Sequence, residues 1–116
     1  MEAPQTPRKR EVWQADLDPA VGHEQAGTRP VIVVSVDGFN QNRSRLVFVA
    51  PVTRRERRNP LHVPVASSPG GLRYSSFVLC DAVRSISMDR LKYRIGMIEQ
   101  SAMDEIGDRI RIVLGL

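Results

Sequence analysis

The clearest pattern in the sequence is a series of short apolar runs with the two-residue period of β-strands. In residues 11–17, Trp13, Ala15 and Leu17 are spaced to point the same way, which predicts a strand with one buried face. Residues 30–36 are almost continuously β-branched, as expected of a strand buried on both faces. Residues 46–53 form a third apolar strand, and turn-forming residues separate it from the second.

Shorter runs at residues 61–65, 77–82 and 83–87 predict the remaining strands. Proline cannot donate to a strand ladder, so Pro51 predicts an edge or a bulge near the end of the strand at 46–53. Pro64 likewise predicts an edge position in the run at 61–65. Together these runs predict roughly five to seven short strands.

The last segment changes to the period of a helix. Ser101, followed by Asp104 and Glu105, predicts a capped helix start. An apolar stripe expected to face the sheet follows at helical spacing: Met103, Ile106, Ile110, Val113 and Leu114. Short strands with tight turns and one terminal helix indicate a mostly β (α+β) fold, a compact, strongly bent antiparallel barrel with a C-terminal helix.

Length and composition indicate one globular domain. The chain has 116 residues, of which 41% are hydrophobic and 26% charged, which suffices for one core without disulfides. Residues 1–9 are expected to be a disordered basic tail, which leaves 10–116 as the domain. Cys80 lies in an apolar run and is expected to be buried rather than nucleophilic. No metal site, leader or membrane span is indicated, so a cytoplasmic protein is expected.

The charge balance points weakly to an anionic partner. The net charge is +4, and 15 of the 17 basic residues are arginines. The planar guanidinium matches phosphate with two parallel hydrogen bonds. Because an arginine bias can also reflect the base composition of a genome, composition alone does not decide between these explanations.

Two residues at strand ends form the first candidate site. Pro30 biases Arg29 toward an extended conformation, so the rigid strand behind it holds the base of the arginine in place. If the strands at 30–36 and 46–53 pair as a hairpin about residue 41, Arg29 lies 12 positions before the centre and Thr53 lies 12 positions after it. Cross-strand neighbours lie about 5 Å apart, so both side chains could bind one phosphate. Taken singly, Thr53 is more simply a strand threonine and Arg29 a surface ion-pair partner.

A specific string spans the loop before the second strand, Gly-His-Glu-Gln-Ala-Gly-Thr-Arg-Pro-Val at residues 22–31. It is accompanied by Pro51-Val52-Thr53, and further strings stand at residues 11–13, 16–19, 79–81 and 83–86. These strings resemble the MazF/PemK toxins of bacterial toxin–antitoxin systems over nearly the whole chain. Two positions depart from the family pattern, since Arg10 replaces the usual glycine and Ala82 a frequent glutamine.

The resemblance implies an SH3-like barrel, a homodimer, and metal-independent cleavage of single-stranded RNA at selected sequences. The implied products carry a 2′,3′-cyclic phosphate and a 5′-hydroxyl. By position, Arg29 and Thr53 would be the catalytic pair, and Glu24 and Gln25 would belong to the loop that flanks the substrate. The implied partner is a MazE-like antitoxin with an acidic segment that folds into the RNA groove.

In such a mechanism the 2′-hydroxyl of the RNA attacks the adjacent phosphorus, so the protein must orient the phosphate and stabilise its growing charge. A guanidinium stays protonated, which makes Glu24 a better proton acceptor than Arg29. Arg54 and Arg55 follow Thr53 directly and are expected either to contact phosphates or to form a solvated loop. Arg84 is a further candidate for RNA binding.

Three other interpretations stay open. A histidine pair, His23 and His62, would suit acid–base catalysis, but nothing in the sequence brings the two together. A gyrase-poisoning toxin similar to CcdB would act through a C-terminal tryptophan, whereas the single tryptophan here is Trp13. A barrel that only binds nucleic acid or an antitoxin would not need Arg29 and Thr53.

Overall fold

The computed structural model describes residues 6–18, 22 and 27–116. Within these ranges the strands are β1 Glu11–Asp16, β2 Thr28–Val33, β3 Leu46–Thr53, β4 His62–Val65, β5 Ser76–Leu79, β6 Arg84–Ser87 and β7 Leu91–Met97. A one-turn helix, α1 Asp37–Asn40, follows β2, and a long helix, α2 Gln100–Leu114, follows β7. Short 3-10 turns at Cys80–Ala82 and Met88–Arg90 flank β6.

These strands form one antiparallel sheet in the order β4-β5-β3-β2-β1-β7, with β6 also paired to β3. Among the described residues no ladder joins β4 to β7, so the sheet is not closed strand to strand. The turn between β4 and β5 reaches β7 instead, where the N–H of Met97 donates to the carbonyl of Gly70 at 2.9 Å. The predicted mostly β fold with a C-terminal helix is confirmed, and a turn rather than a strand ladder completes its barrel.

β3 is the central strand of the sheet. It pairs with β2 on one side, and on the other side first with β6, as far as Val49, and then with β5 from Val52 onward. The sequence predicted an edge or a bulge at Pro51. β3 is not an edge strand, but Pro51 belongs to neither outer ladder and lies where β6 gives way to β5. Pro64 lies in β4, the terminal strand of the order above, as predicted.

Successive residues of the central strands alternate between two apolar clusters, one on each face. In β2, Ile32 belongs to one cluster, whereas Val31 and Val33 belong to the other. All three are fully buried, which confirms the prediction of a strand buried on both faces. The strand is shorter than predicted, because it ends at Val33 and Val36 is exposed. The first cluster also holds Met103 and Ile106 of α2, so this helix packs on the face to which Ile32 points.

Helix α2 begins earlier and packs over a shorter length than predicted. Its N-cap is Glu99, without a side-chain hydrogen bond, and Ser101 lies inside the first turn, so the predicted cap is wrong. Val113 and Leu114, which were expected to face the sheet, are exposed. No helix in the described part of the chain is long and apolar enough to cross a membrane.

The start of the domain also differs from the expectation of a tail through residue 9. Pro7 is fully buried, and the N–H of Lys9 donates to Asp37 Oδ1 at 2.8 Å. This hydrogen bond is the main reason that the pKa of Asp37 lies below its ordinary value. Residues 7–9 are therefore part of the folded domain.

Strand β7 is absent from the strands predicted by the sequence pattern. It pairs with β1, and its register shifts twice, between Val12 and Trp13 and between Gln14 and Ala15. Both shifts are β-bulges, which break a two-residue period and re-aim side chains. The strand also exposes Lys92, so that its run of three exposed residues resembles a loop.

Candidate functional site

Arg29 and Thr53 lie at the same end of neighbouring strands. Val31 pairs with Pro51, Ile32 with Ala50 and Val33 with Val49. The two residue numbers of each pair add up to 82, and so do 29 and 53. If this register continues for two more residues, it therefore sets Arg29 opposite Thr53. Cross-strand partners share one face of a sheet. The hairpin register predicted about residue 41 is therefore the register of the structure.

The hydroxyl of Thr53 is oriented by the segment that follows it. Thr53 is half-buried, and its Oγ1 accepts a hydrogen bond from the backbone N–H of Arg55 at 3.2 Å. This bond uses a lone pair of the oxygen rather than its hydrogen, so the hydroxyl can still act as a donor. The strand behind Thr53, which pairs with Phe77 on its other side, fixes the Cα position.

The loop between β1 and β2 contains the predicted residues Glu24 and Gln25, which lie outside the described residues. The two ends of this loop are bonded to each other. The N–H of Leu17 donates to the carbonyl of Gly27 at 3.0 Å, and the N–H of Gly27 donates to Asp18 Oδ1 at 2.9 Å. Arg90 adds a clamp from Nη1 to the carbonyls of Asp16 and Asp18.

An open groove of about 700 Å³ lies beside Thr53. Its lining combines aromatic and basic side chains from both ends of the sheet: Thr53, Arg54, Arg73, Tyr74, Tyr93 and Arg94. Pro30, the neighbour of Arg29, also contributes to the lining. The groove therefore begins beside Thr53 and extends toward β7.

One wall of the groove is held against β7 by a close backbone contact. A Cβ on Gly96 would lie 1.8 Å from the carbonyl oxygen of Gly70, so only glycine allows this approach. The turn at Gly70 leads directly into Arg73 and Tyr74. The guanidinium carbon of Arg54 lies 4.4 Å from the centre of the Tyr74 ring, a cation–π contact.

Comparison with known proteins identifies this architecture. The family described as "PemK-like, MazF-like toxin of type II toxin-antitoxin system" matches residues 8–114. The chain belongs to this family. The resemblance drawn from the loop string and from Pro51-Val52-Thr53 is thus confirmed.

Individual relatives in the family agree with this assignment. An endoribonuclease MazF of Staphylococcus saprophyticus is 35% identical over 111 residues, which are 94% of this chain and 92% of that protein. The crystal structure of MazF from Deinococcus radiodurans superposes with a TM-score of 0.86 at 26% identity, covering 97% of this chain and 100% of that one. A MazE–MazF structure from the same organism superposes with a TM-score of 0.77 at 25% identity, covering 97% and 99%.

The remaining predicted residues lie at different distances from the groove. Arg54 lines it, whereas Arg55 has an exposed side chain and contributes its backbone N–H to Thr53. Arg84 lies on β6 and pairs with Val49 of β3. Thr53 lies four positions after Val49 along β3, or about 13 Å away at strand spacing. Arg84 therefore lies away from the strand ends that carry Arg29 and Thr53.

The sequence pattern missed the groove residues on β7, Tyr93 and Arg94. Their strand was not predicted, because exposed polar residues and two bulges hide its alternation. Gly96 was the available signal, since a glycine between apolar residues in an extended segment often marks a close backbone approach.

Two residues with reactive side chains, His62 and Cys80, are buried in the interior of the domain. His62 is buried, and its Nε2 lies 3.1 Å from Asp81 Oδ1; His23, its suggested partner, lies outside the described residues. Cys80 is buried as predicted, and this burial raises the pKa of its thiol from 9.0 to about 11.

Proposed function

We propose that this MazF/PemK-type toxin cleaves single-stranded RNA at selected sequences, by attack of the RNA's own 2′-hydroxyl on the adjacent phosphorus. The oxygen–phosphorus bond to the next nucleotide breaks, which leaves a 2′,3′-cyclic phosphate and a 5′-hydroxyl. The observation that carries this proposal is the register that sets Arg29 opposite Thr53 at one end of β2 and β3. Because the nucleophile belongs to the substrate, the protein needs only to orient the phosphate and stabilise its charge.

Arg29 and Thr53 have complementary tasks in this reaction. The guanidinium of Arg29 neutralises the charge that grows on the phosphoryl oxygens, and its planar fork fits two of them. The hydroxyl of Thr53, which accepts from Arg55, donates to a phosphoryl oxygen. Losing one such donor costs about a hundredfold to a thousandfold in rate.

The other proposed contributions come from the loops around this pair. Glu24 serves as the proton acceptor for the 2′-hydroxyl, since a carboxylate can accept a proton and the guanidinium of Arg29 cannot. Gln25 contacts the substrate from the same loop. Arg54, Arg55 and Arg84 bind phosphates along the strand, with Arg54 nearest to the site.

The partners follow from the family. We infer that the chain forms a homodimer and is inhibited by a cognate MazE-like antitoxin. Its family consists of toxins of type II toxin–antitoxin systems, and one similar solved structure is a MazE–MazF complex from D. radiodurans. An antitoxin with an acidic segment suits the arginine-lined groove. The proposed location is the cytoplasm, where its RNA substrate is found.

The decisive experiment treats a defined single-stranded RNA with the purified protein in EDTA and sequences the ends of the fragments. We expect cleavage at a recurring sequence, with cyclic phosphate ends. The same RNA with methylated 2′-hydroxyls should not be cleaved. Arg29→Ala and Thr53→Ala should lower the rate about a hundredfold or more, whereas Thr53→Ser should retain most of it. Arg111→Ala removes an exposed arginine from α2 and serves as the matched control.

Two results would contradict the proposal. Unchanged cleavage by both Arg29→Ala and Thr53→Ala would show that the reaction occurs elsewhere. Absence of cleavage with intact RNA binding would favour a barrel that only binds nucleic acid. Glu24→Gln tests the proton acceptor separately: its rate should fall, and an unchanged pH profile would exclude this role.

A further inference from the structure

We propose that the groove beside Thr53 is a subsite for one unpaired nucleotide of the RNA, with Tyr74 and Tyr93 as the platform that stacks its base. The guanidinium groups of Arg73 and Arg94 bind the phosphate of that nucleotide. This inference rests on the proposed function and adds the residues that select and hold the substrate next to the cleaved bond.

The two tyrosines have the exposure and rigidity that a stacking platform requires. Tyr74 is 52% exposed and Tyr93 59% exposed, although both line a concave surface. Large rings left in water beside arginines are typical of surfaces that bind single-stranded RNA, where bases stack on aromatic faces. Arg54 covers one face of the Tyr74 ring at 4.4 Å, which fixes the ring's orientation before any ligand arrives.

Strand β7 contributes two consecutive residues, Tyr93 and Arg94, to the lining of the groove. Tyr93 pairs with Gln14 and Arg94 with Trp13, and a register shift follows on either side of this pair. Both Tyr93 and Arg94 line the groove. Bulges of this kind recur beside functional sites, where they re-aim a side chain.

Arg94 is held in place by a buried carboxylate. Its Nε donates to Glu11 Oε2 at 2.6 Å, and the Glu11 side chain is only 8% exposed. Glu11 also accepts from Trp13 Nε1 at 3.1 Å and from the N–H of Arg8 at 2.7 Å, so its own position is fixed. Anchoring through Nε leaves the two terminal amino groups of Arg94 to donate to a phosphate.

The size of the groove fits this occupant. Its volume of about 700 Å³ lies within the range of about 300–1,000 Å³ that small-molecule sites occupy. The opposite wall, with Arg73 and Tyr74, is set by the contact between Gly70 and Gly96. The subsite is thus built from a strand, a docked turn and a buried anchor rather than from a mobile loop.

Binding is tested with a fluorescein-labelled, fully 2′-O-methylated RNA of the cleaved sequence, which the protein can bind but not cut. Tyr93→Ala should weaken binding by about 5- to 150-fold, the range expected for one stacked base. Tyr93→Phe keeps the ring and should bind like the unaltered protein. Phe39→Ala removes a comparably exposed ring, 40% exposed, from outside the groove and should also leave binding unchanged.

A second measurement locates the base directly. The same RNA carrying 5-iodouridine is irradiated on the protein, and the cross-linked peptide is identified by mass spectrometry. A cross-link at Tyr74 or Tyr93 supports the subsite, whereas unaltered binding by Tyr93→Ala or a cross-link confined to other peptides overturns it. Cleavage of unmodified RNA is measured in parallel, so that failure of the proposed reaction is distinguished from absence of the subsite.

Discussion

Substituting Gly96 by alanine tests the contact that holds the barrel and the groove together. The new Cβ would lie 1.8 Å from the carbonyl oxygen of Gly70 and 2.4 Å from its carbonyl carbon. Ordinary carbon–oxygen contacts begin at about 3.3 Å, so the turn must move away by about 1.5 Å. The obstructing atoms are backbone, which no side-chain rotation can relieve.

The energetic cost has two parts. Overpacking in a tight contact costs about 1–3 kcal/mol, and loss of the hydrogen bond from Met97 N–H to Gly70 costs about 0.5–1.5 kcal/mol. The free energy of unfolding should therefore fall by about 1.5–4.5 kcal/mol. At a urea m-value of about 2 kcal/mol/M, the midpoint of unfolding drops by about 1–2 M.

The assay is urea denaturation at one fixed protein concentration, since association would make the midpoint concentration-dependent. Gly107→Ala is the matched control, because a Cβ there meets nothing within 4 Å and replaces a glycine in the interior of α2. It should raise stability by up to about 1 kcal/mol. If Gly96→Ala and Gly107→Ala shift the midpoint in the same direction, the account of the docked turn is refuted.

Two further predictions concern the core. Because burial raises the pKa of the Cys80 thiol to about 11, native protein at about pH 8 should resist iodoacetamide, whereas urea-unfolded protein reacts, as intact mass will show. Because the folded protein keeps the thiol proton to a higher pH than the unfolded chain does, the thiol contributes stability that is fully present below about pH 9. This stability is lost as the pH rises toward 11. If Cys80→Ala lost as much stability over the same pH range, another group would be responsible. Ile106→Ala, at a fully buried position of α2, should cost about 2–5 kcal/mol in urea unfolding. Ile112→Ala, 65% exposed on the same helix, should change stability by less than about 0.5 kcal/mol, and comparable losses in the two variants would disprove the packing described for α2.

The central hairpin could be predicted from the sequence because its signals are local and consistent. β2 carries a β-branched run and β3 is almost entirely apolar, and the turn-forming residues between them place the centre of the hairpin near residue 41. That register is also what brings Arg29 opposite Thr53. The strand pair that carries the proposed reaction was therefore predictable from the spacing alone.

Strand β7 and the far wall of the groove could not be predicted in this way. β7 is defined by its pairing with β1, about eighty residues earlier in the chain, and its two bulges remove the alternation by which a strand is recognised. For a related reason the sequence could not decide between an edge and a bulge at Pro51. Its neighbours in the sheet change partway along β3, which is a property of the tertiary arrangement rather than of the local sequence.

The groove joins segments that leave the ribosome at very different times. Arg29 and Thr53 are synthesised in the first half of the chain, whereas Tyr93 and Arg94 belong to the last strand of the sheet. A growing chain that has reached only β3 therefore carries the proposed catalytic side chains without the groove proposed to hold RNA beside them. The proposed site is therefore complete only after the last strand of the sheet has been synthesised.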